Sequence, residues 1–352
     1  MIDISINKVK KSRIDSIDFD DLKFGVEFSD HMFLAEYIDG KWQNAKVMPF
    51  QDLSFSPASC IFHYGQAVFE GMKAYRTAKG EVLLFRPDKN QQRLNQSAQR
   101  MCMEEVPESL FMDGLRKLIQ TDKDWVPEGE GKSLYIRPFI IADQNFLGVK
   151  ASNNYKFIII TSPVANYYNG AIKVKVETEY VRAASGGVGA AKTAGNYAAS
   201  LYPAKKAKEE GFDQLIWTDA KEHKYIEESG TMNLMLRIGD KLVTPTTDCG
   251  SILEGITRDS IIQLAKKWGY EIEERKVSVE EIIVALKAGK LREAFGMGTA
   301  ATITPISSIY HDGKSYELSD FRDWEFANKT KAELEGIKSG LIEDTFGWTE
   351  II

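Results

Sequence analysis

The chain has 352 residues, which is enough for two domains of ordinary size. Its formal net charge of −6 and its 43% hydrophobic content are typical of a globular protein and disfavour a nucleic-acid or anionic-membrane surface. The three cysteines and four histidines form neither a C-x-x-C pair nor an H-E-x-x-H spacing, so we expect no disulfide framework and no metal centre. No segment is apolar over a bilayer-spanning length, and we expect a cytoplasmic protein without membrane contact.

The first half of the chain mixes strand and helix patterns. Turn dipeptides between apolar runs predict two hairpins, at Asp39-Gly40 and Lys79-Gly80. Helical spacing predicts helices over about 88–103 and 108–120, and the apolar runs SLYIRPFIIAD and YKFIIITSPV predict buried strands. We expect residues 1–165 to form the N-terminal domain.

The second half begins after an irregular segment at 166–171, which we expect to connect two domains. Three strand patterns follow: AIKVKVETEYV, DQLIWTD and the hairpin TMNLMLRIGDKLVTP. Strands are also expected within 295–310, and helices up to about Glu210, from Thr257 and over 323–338. Because strands and helices do not alternate strictly, the pattern favours an α+β fold over a doubly wound sheet.

Lys192 is the one lysine in the small-residue stretch GVGAAKTAGNYAAS. A phosphate-binding P-loop would need glycine where Ala191 stands, and the preceding strand alternates charged with apolar residues. A Schiff-base lysine is the second interpretation, because attack on a carbonyl cofactor requires an amine with room for a flat ring beside it. Tyr197, five residues on, is a candidate hydrogen-bond partner for an oxygen of that ring. Most lysines beside glycines are simply exposed.

Other motifs offer what pyridoxal phosphate needs. Glu228 in IEESGTMN offers an acid for the pyridine nitrogen, whose protonation makes the ring an electron sink. Ile256 and Thr257 begin a helix after a glycine, where amides suit a phosphate, while Thr299 and Arg93 offer a hydroxyl and a cation. The simpler interpretations are that Thr257 is an N-cap, Glu228 a turn acid and Arg93 a surface residue. Their occurrence together with the lysine favours the cofactor.

The motifs in combination resemble those of the branched-chain amino acid aminotransferases, which belong to fold type IV of the pyridoxal phosphate enzymes. They are FGVEFSDHM, FHYGQAVFEGMKAY, LFRPDKNQQRLNQSA, SLYIRPF, GGVGAAKTAGNY, EESGTMN, LEGITRDSI and FGMGTAA. The resemblance implies a small N-terminal α/β domain, a larger C-terminal pseudo-barrel domain over 172–352, and a homodimer. It also implies reversible ping-pong transfer of the amino group of L-leucine, L-isoleucine or L-valine to 2-oxoglutarate, with pyridoxal 5′-phosphate as cofactor.

The resemblance also implies roles for residues around the cofactor. Lys192 matches the Schiff-base lysine, Glu228 the partner of the pyridine nitrogen, and Tyr197 the partner of the ring oxygen. The residues that match the phosphate-binding group are Arg93, Ile256, Thr257 and Thr299, and Arg182 is expected to approach the phosphate too.

On the substrate side, Tyr64, Phe69 and Tyr135 resemble the aromatic wall around a branched side chain. The α-carboxylate is expected at Thr299 and Ala300. Strand alternation places Arg137 on the same face as Tyr135, and its counterpart in the family binds the distal carboxylate of glutamate. The alternative is that Arg137 makes only a structural salt bridge.

Two alternative functions remain open at the level of sequence. The first is a sister enzyme of the same fold, a D-amino acid aminotransferase or an aminodeoxychorismate lyase, against which SLYIRPF and HYGQAVFEGMKAY argue. The second is the P-loop protein.

The C-x-x-C that animal members of the family carry after the GTA motif is replaced here by Ala301 and Thr304, so we expect no thiol switch at that place.

Overall fold

The computed structural model describes residues 2–165 and 170–352. By their internal contacts they form two compact units. The first holds residues 2–165, 191–195 and 336–352, and the second holds 170–190 and 196–335. Residues 191–195 and 336–352, which the sequence pattern places in the C-terminal domain, pack in the first unit instead.

The predicted interdomain connection at 166–171 falls mostly on residues 166–169, which lie outside the described residues. It therefore stays a prediction. Within the two described ranges, no helix combines the length and the apolar character that crossing a membrane requires.

The strands, in chain order, are β1 Ser5–Ile6, β2 His31–Ile38, β3 Lys41–Pro49, β4 Ala67–Phe69, β5 Met72–Arg76, β6 Val82–Phe85, β7 Ser133–Ala142, β8 Tyr155–Val164, β9 Ile172–Val176, β10 Gln214–Thr218, β11 Ile226–Ser229, β12 Met232–Ile238, β13 Lys241–Pro245, β14 Ile272–Arg275, β15 Leu291–Met297, β16 Ile303–His311, β17 Lys314–Glu317 and β18 Thr349–Ile351. The helices are α1 Ile61–Tyr64, α2 Pro87–Arg100, α3 Glu108–Thr121, α4 Ala194–Glu209, α5 Ile256–Lys267, α6 Val279–Lys287 and α7 Glu325–Lys338.

The first unit is built on a sheet in the order β1-β3-β2-β8-β7-β5-β6-β18, with β4 also paired to β7. Strands β7 and β8 pair antiparallel from Ser133↔Val164 to Ala142↔Tyr155, which confirms the two predicted buried strands. Both predicted hairpins are confirmed as β2–β3 and β5–β6. Helices α2 and α3 bury their apolar sides in the same core, and Leu94, Phe111 and Leu115 are fully enclosed there.

The second unit contains a closed barrel. Strands β11, β10, β9, β16, β15 and β12 pair in that order, and the pairing of β11 with β12 closes the ring. Strands β13 and β14 extend the sheet beyond β12, and β17 pairs with β16. Because antiparallel and parallel pairs are mixed without regular crossovers, the α+β class and the predicted pseudo-barrel are both confirmed.

Two sequence expectations differ from the structure. The strand predicted over AIKVKVETEYV ends at Val176, because the Glu177 carboxylate accepts the amides of Glu179 and Tyr180 and turns the chain. Helix α6 was not predicted, although its signal is present. Ser278 is its N-cap and accepts from the amide of Glu281 at 3.0 Å.

Candidate active site

The backbone of Lys192 is anchored on strand β4 of the first unit. The amide of Phe69 donates to the carbonyl of Lys192 at 3.0 Å, and Thr193 forms an antiparallel bridge with Val68. The amide of Lys192 donates to Ser97 Oγ at 2.9 Å. The backbone of Lys192 and Thr193 is thus held against strand β4, and the side chain of Lys192 is half-buried.

This placement makes the P-loop interpretation wrong. A P-loop connects the end of a buried strand directly to a helix. Strand β9 instead ends at Val176, well before Gly187, and the next residue after Lys192, Thr193, bridges to Val68 of another strand. The interpretation of Lys192 as a simply exposed lysine is also wrong, because the side chain is half-buried and its Nζ lies 4.9 Å from the ring centre of Phe69.

Phe69, Tyr135 and Arg137 form one cluster in the first unit. The guanidinium carbon of Arg137 lies 4.7 Å from the ring centre of Phe69 and 5.3 Å from that of Tyr135. Its Nη2 donates to the Tyr135 hydroxyl at 2.8 Å. Among the described residues of its unit, no carboxylate forms an ion pair with Arg137. The alternative, that Arg137 makes only a structural salt bridge, therefore lacks an acid in this unit.

Gly71 and Tyr64 are the other residues of these motifs to place in the first unit. A Cβ at Gly71 would collide with the Tyr135 hydroxyl, which explains the glycine in VFEGM. Tyr64 ends helix α1 and is 39% exposed, and its hydroxyl donates to the carbonyl of Leu147. The hydroxyl of Tyr64 is thus engaged by Leu147, and the place of Tyr64 in an aromatic wall stays a prediction.

Arg93 is buried and paired with Glu70. Its Nε contacts Oε1 of Glu70 at 2.7 Å, and its Nη2 contacts Oε2 at 2.8 Å. Asn90 also donates to this carboxylate at 2.7 Å. The interpretation of Arg93 as a surface residue is wrong, and Glu70, which is fully buried, was missed. The sequence feature that could have indicated a buried Glu70 is the single acid among the apolar and small residues of AVFEGM.

Glu228 lies on β11 in the second unit and is 3% exposed, so the interpretation as a turn acid is wrong. Its Oε1 accepts from the amide of Leu253 at 2.8 Å, and its Oε2 lies 3.2 Å from Nε of Arg182. Arg182 also donates to the carbonyls of Gly189 and Ser251. Sequence reasoning expected Arg182 near a phosphate and missed its pairing with Glu228.

Glu227, the neighbour of Glu228 on β11, is a second buried acid that sequence reasoning did not single out. Its Oε1 accepts from the Ser251 hydroxyl, and its Oε2 is buried without a hydrogen-bond partner among the described residues. Burial raises the pKa of the Glu227 carboxyl, although the hydrogen bond from Ser251 opposes this change.

Helix α5 begins at Ile256 with Gly255 as its N-cap, so the interpretation of Thr257 as the N-cap is wrong. Gly255 has no side chain with which to cap this helix, and a Cβ at position 255 would collide with Oδ1 of Asn233. Asn233 in turn donates to the carbonyl of Leu253 at 2.9 Å. Amides at an N-terminus without a side-chain cap are suited to an anion.

The remaining predicted residues lie on other elements of the second unit. Thr299 and Ala300 are half-buried in the turn between β15 and β16. Tyr197 is half-buried in the first turns of α4. The structure leaves the roles of these three residues as predictions.

The donor sets of the two units fit the groups of pyridoxal phosphate. In the second unit, the buried carboxylate of Glu228 offers an acceptor for a pyridinium nitrogen, and the glycine-capped helix α5 offers amides to a phosphate. In the first unit, a half-buried lysine stands beside an aromatic ring and a buried arginine is held by Glu70.

Comparison with known proteins gives consistent results. The family model described as amino-transferase class IV matches residues 67–309. The chain is 48% identical to branched-chain-amino-acid aminotransferase 2 of Bacillus subtilis, over 99% of this chain and 96% of that protein. The branched-chain amino acid aminotransferase of Escherichia coli is similar in structure, with a TM-score of 0.74 and 30% identity over 91% of this chain and 98% of that one.

A second solved structure shows the same fold. It is the branched-chain amino acid aminotransferase of Thermobaculum terrenum in its PLP-form, the holo-form. The TM-score is 0.71, and the 22% identity covers 91% of this chain and 97% of that one.

Proposed function

Because this chain belongs to the class IV aminotransferases, and within them to the branched-chain-amino-acid aminotransferases, we propose that it transfers the amino group of L-leucine, L-isoleucine or L-valine to 2-oxoglutarate. Pyridoxal 5′-phosphate is the proposed cofactor, and the reaction is a ping-pong transamination. The protein is proposed to act as a cytoplasmic homodimer.

The observation that carries the proposal is the contact of both Lys192 and Arg137 with the ring of Phe69. The apolar ring of Phe69 is thus contacted both by the amine of Lys192 and by the guanidinium of Arg137. An enzyme of this kind has to accept an isobutyl group and a carboxylate in turn, although an unpaired buried charge is costly. A cation resting on aromatic rings is available to the carboxylate and remains stabilised when leucine is bound.

Pyridoxal phosphate, when bound, supplies a carbonyl carbon for the amino group and a ring that withdraws electrons. Lys192 would hold the cofactor through its amine, and the substrate's amino group would displace that amine, which would then be free to move the proton of the substrate Cα. The carboxylate of Glu228, fixed by Leu253 and Arg182, is proposed to hold a proton on the ring nitrogen.

The phosphate is assigned to the N-terminal amides of α5 at Ile256 and Thr257, with Thr299 and Arg93 as further contacts. Arg182 pairs with Glu228, and we propose that it orients this carboxylate, while its contact with the phosphate stays a prediction. Tyr197 is assigned to the ring oxygen. Tyr64, Phe69 and Tyr135 are proposed to contact the substrate side chain, and Ala300 its α-carboxylate.

Purified protein tests the proposal directly. We expect a visible absorption band from bound cofactor and transamination of 2-oxoglutarate with L-leucine, L-isoleucine and L-valine. The D-isomers serve as the control and are expected to be inactive. A colourless protein that stays inactive after addition of pyridoxal 5′-phosphate would refute the proposal, and activity with D-amino acids alone would identify the sister enzyme.

A further inference from the structure

Ser97 contacts the backbone of the proposed Schiff-base lysine. It lies on α2 and is 1% exposed. Its Oγ accepts the hydrogen bond from the amide of Lys192 at 2.9 Å, while the carbonyl of Lys192 accepts from the amide of Phe69 at 3.0 Å. Thr193 adds a hydrogen bond from Oγ1 to the carbonyl of Ala67 at 2.8 Å. The lysine backbone is therefore held on one side by a helix and on the other by strand β4.

The same helix also positions Arg93. Arg93 and Ser97 are four residues apart on α2, so they lie on one face of the helix. Arg93 binds the carboxylate of Glu70, and Glu70 directly follows Phe69, whose amide holds Lys192. The contacts thus form a closed frame of α2, β4 and residues 191–195, in which the backbone of Lys192 and the guanidinium of Arg93 are fixed relative to each other.

We propose that Ser97 is a positioning residue, which acts through Lys192 by fixing the lysine backbone relative to Arg93. The proposal rests on the proposed function, in which Arg93 contacts the phosphate and Lys192 bonds the carbonyl carbon of the same cofactor. A lysine side chain is long and flexible, so the position of its backbone decides which atoms Nζ reaches. Misplacement of a reacting group by about 1 Å can cost about a hundredfold in rate.

The test compares Ser97→Ala with Asn95→Ala on the same helix. Asn95 is half-buried, and its side chain exchanges two hydrogen bonds of 2.9 Å with the backbone of Val106 and none with Lys192. Four quantities are measured: kcat and KM for L-leucine, the rate at which the visible band forms when pyridoxal 5′-phosphate is added to apoenzyme, and the unfolding temperature of the apoenzyme.

For Ser97→Ala, we expect kcat and the rate of band formation to fall on the order of tenfold, which is the scale of one lost hydrogen bond. KM is expected to change by less than about threefold. Asn95→Ala is expected to lower the unfolding temperature at least as much, because two hydrogen bonds are lost, but to keep kcat and the rate of band formation. Ser97→Cys, which retains a weak acceptor, is expected to show a smaller loss and replaces Ser97→Ala if that variant does not fold.

Wild-type values of kcat and band formation in Ser97→Ala would overturn the proposal. Equal losses in Asn95→Ala would also overturn it, because they would show that general stability of α2 is responsible. A wild-type protein without a band or transaminase activity would instead refute the proposed function itself.

Discussion

Arg137 holds its guanidinium carbon 4.7 Å from the ring centre of Phe69, within the range of a cation–π contact. The cation is also fixed by the hydroxyl of Tyr135, two residues earlier on β7. Its buried Nε has no hydrogen-bond partner among the described residues. These contacts hold a positive charge among aromatic rings while leaving it without a carboxylate of its own unit.

Replacement of Arg137 with glutamine is therefore expected to change selectivity. The 2-oxoglutarate half-reaction should fall on the order of a hundredfold, since loss of a buried charged partner costs about 2–5 kcal/mol. The leucine half-reaction should fall much less. Single-turnover rates followed by cofactor absorbance measure both.

Arg76→Gln is the matched control for Arg137. Arg76 is also a strand arginine of the first unit, but it donates to the carbonyls of Val126 and Lys123. We expect it to affect both half-reactions alike. Equal losses in Arg137→Gln would mean that Arg137 stabilises the fold and does not bind the carboxylate.

Lys192→Ala is expected to abolish both the visible band and turnover. The unfolding temperature should change little, because the main contacts of this residue with α2 and β4 are made by its backbone. Lys175→Ala, which removes an ion pair with Glu210 in the second unit, should keep the band and the activity. Transamination near the wild-type rate in Lys192→Ala would disprove the assignment.

Glu228→Gln is expected to lower kcat by roughly tenfold to more than a hundredfold, the equivalent of about 1.5–3 kcal/mol for a charge-assisted partner. The amide retains an acceptor for Leu253 but does not stabilise a protonated ring nitrogen. Glu274→Gln breaks the ion pair with Arg258 in the same unit and serves as the control. An unchanged kcat in Glu228→Gln would remove this residue from the mechanism.

Glu227→Gln is expected to change how stability depends on pH. Since burial raises the pKa of Glu227 above its usual 4.5, the unfolded chain loses this proton at a lower pH than the folded protein. The wild type therefore loses stability relative to the variant as pH rises from about 4.5 to the higher pKa of the folded state. Unfolding temperatures of both proteins at pH steps between 4 and 8, on the order of half a unit apart, measure the difference. A difference that stays constant with pH would contradict the prediction.

Much of the fold was predictable because its signals are local. The turn dipeptides at residues 39–40 and 79–80 lie between apolar runs, and both hairpins form. The boundaries of β9 were not predictable in the same way, because they depend on the Glu177 carboxylate turning back to two later amides. Helix α6 was missed despite its capping serine.

The candidate site was predictable as a set of residues but not as a set of contacts. The motifs identify Arg93 and Glu228, yet their partners Glu70 and Arg182 lie 23 and 46 positions away in the sequence. Only the pairing of strands and helices brings such residues together. The position of Lys192 against β4 likewise depends on tertiary packing, because residues 191–195 belong to the first unit whereas the residues on either side of them belong to the second.

Strand β18 has a consequence for how the chain is synthesised. Residues 349–351 complete the sheet of the first unit by pairing with β6, which otherwise forms its edge. A ribosome makes β6 long before β18, so the amides and carbonyls of that edge stay unpaired while more than two hundred residues are added (349 − 85 = 264 from the end of β6 to the start of β18). An exposed edge invites pairing with other chains. Folding during translation therefore leaves this edge of the sheet exposed to pairing with other chains until β18 has been made.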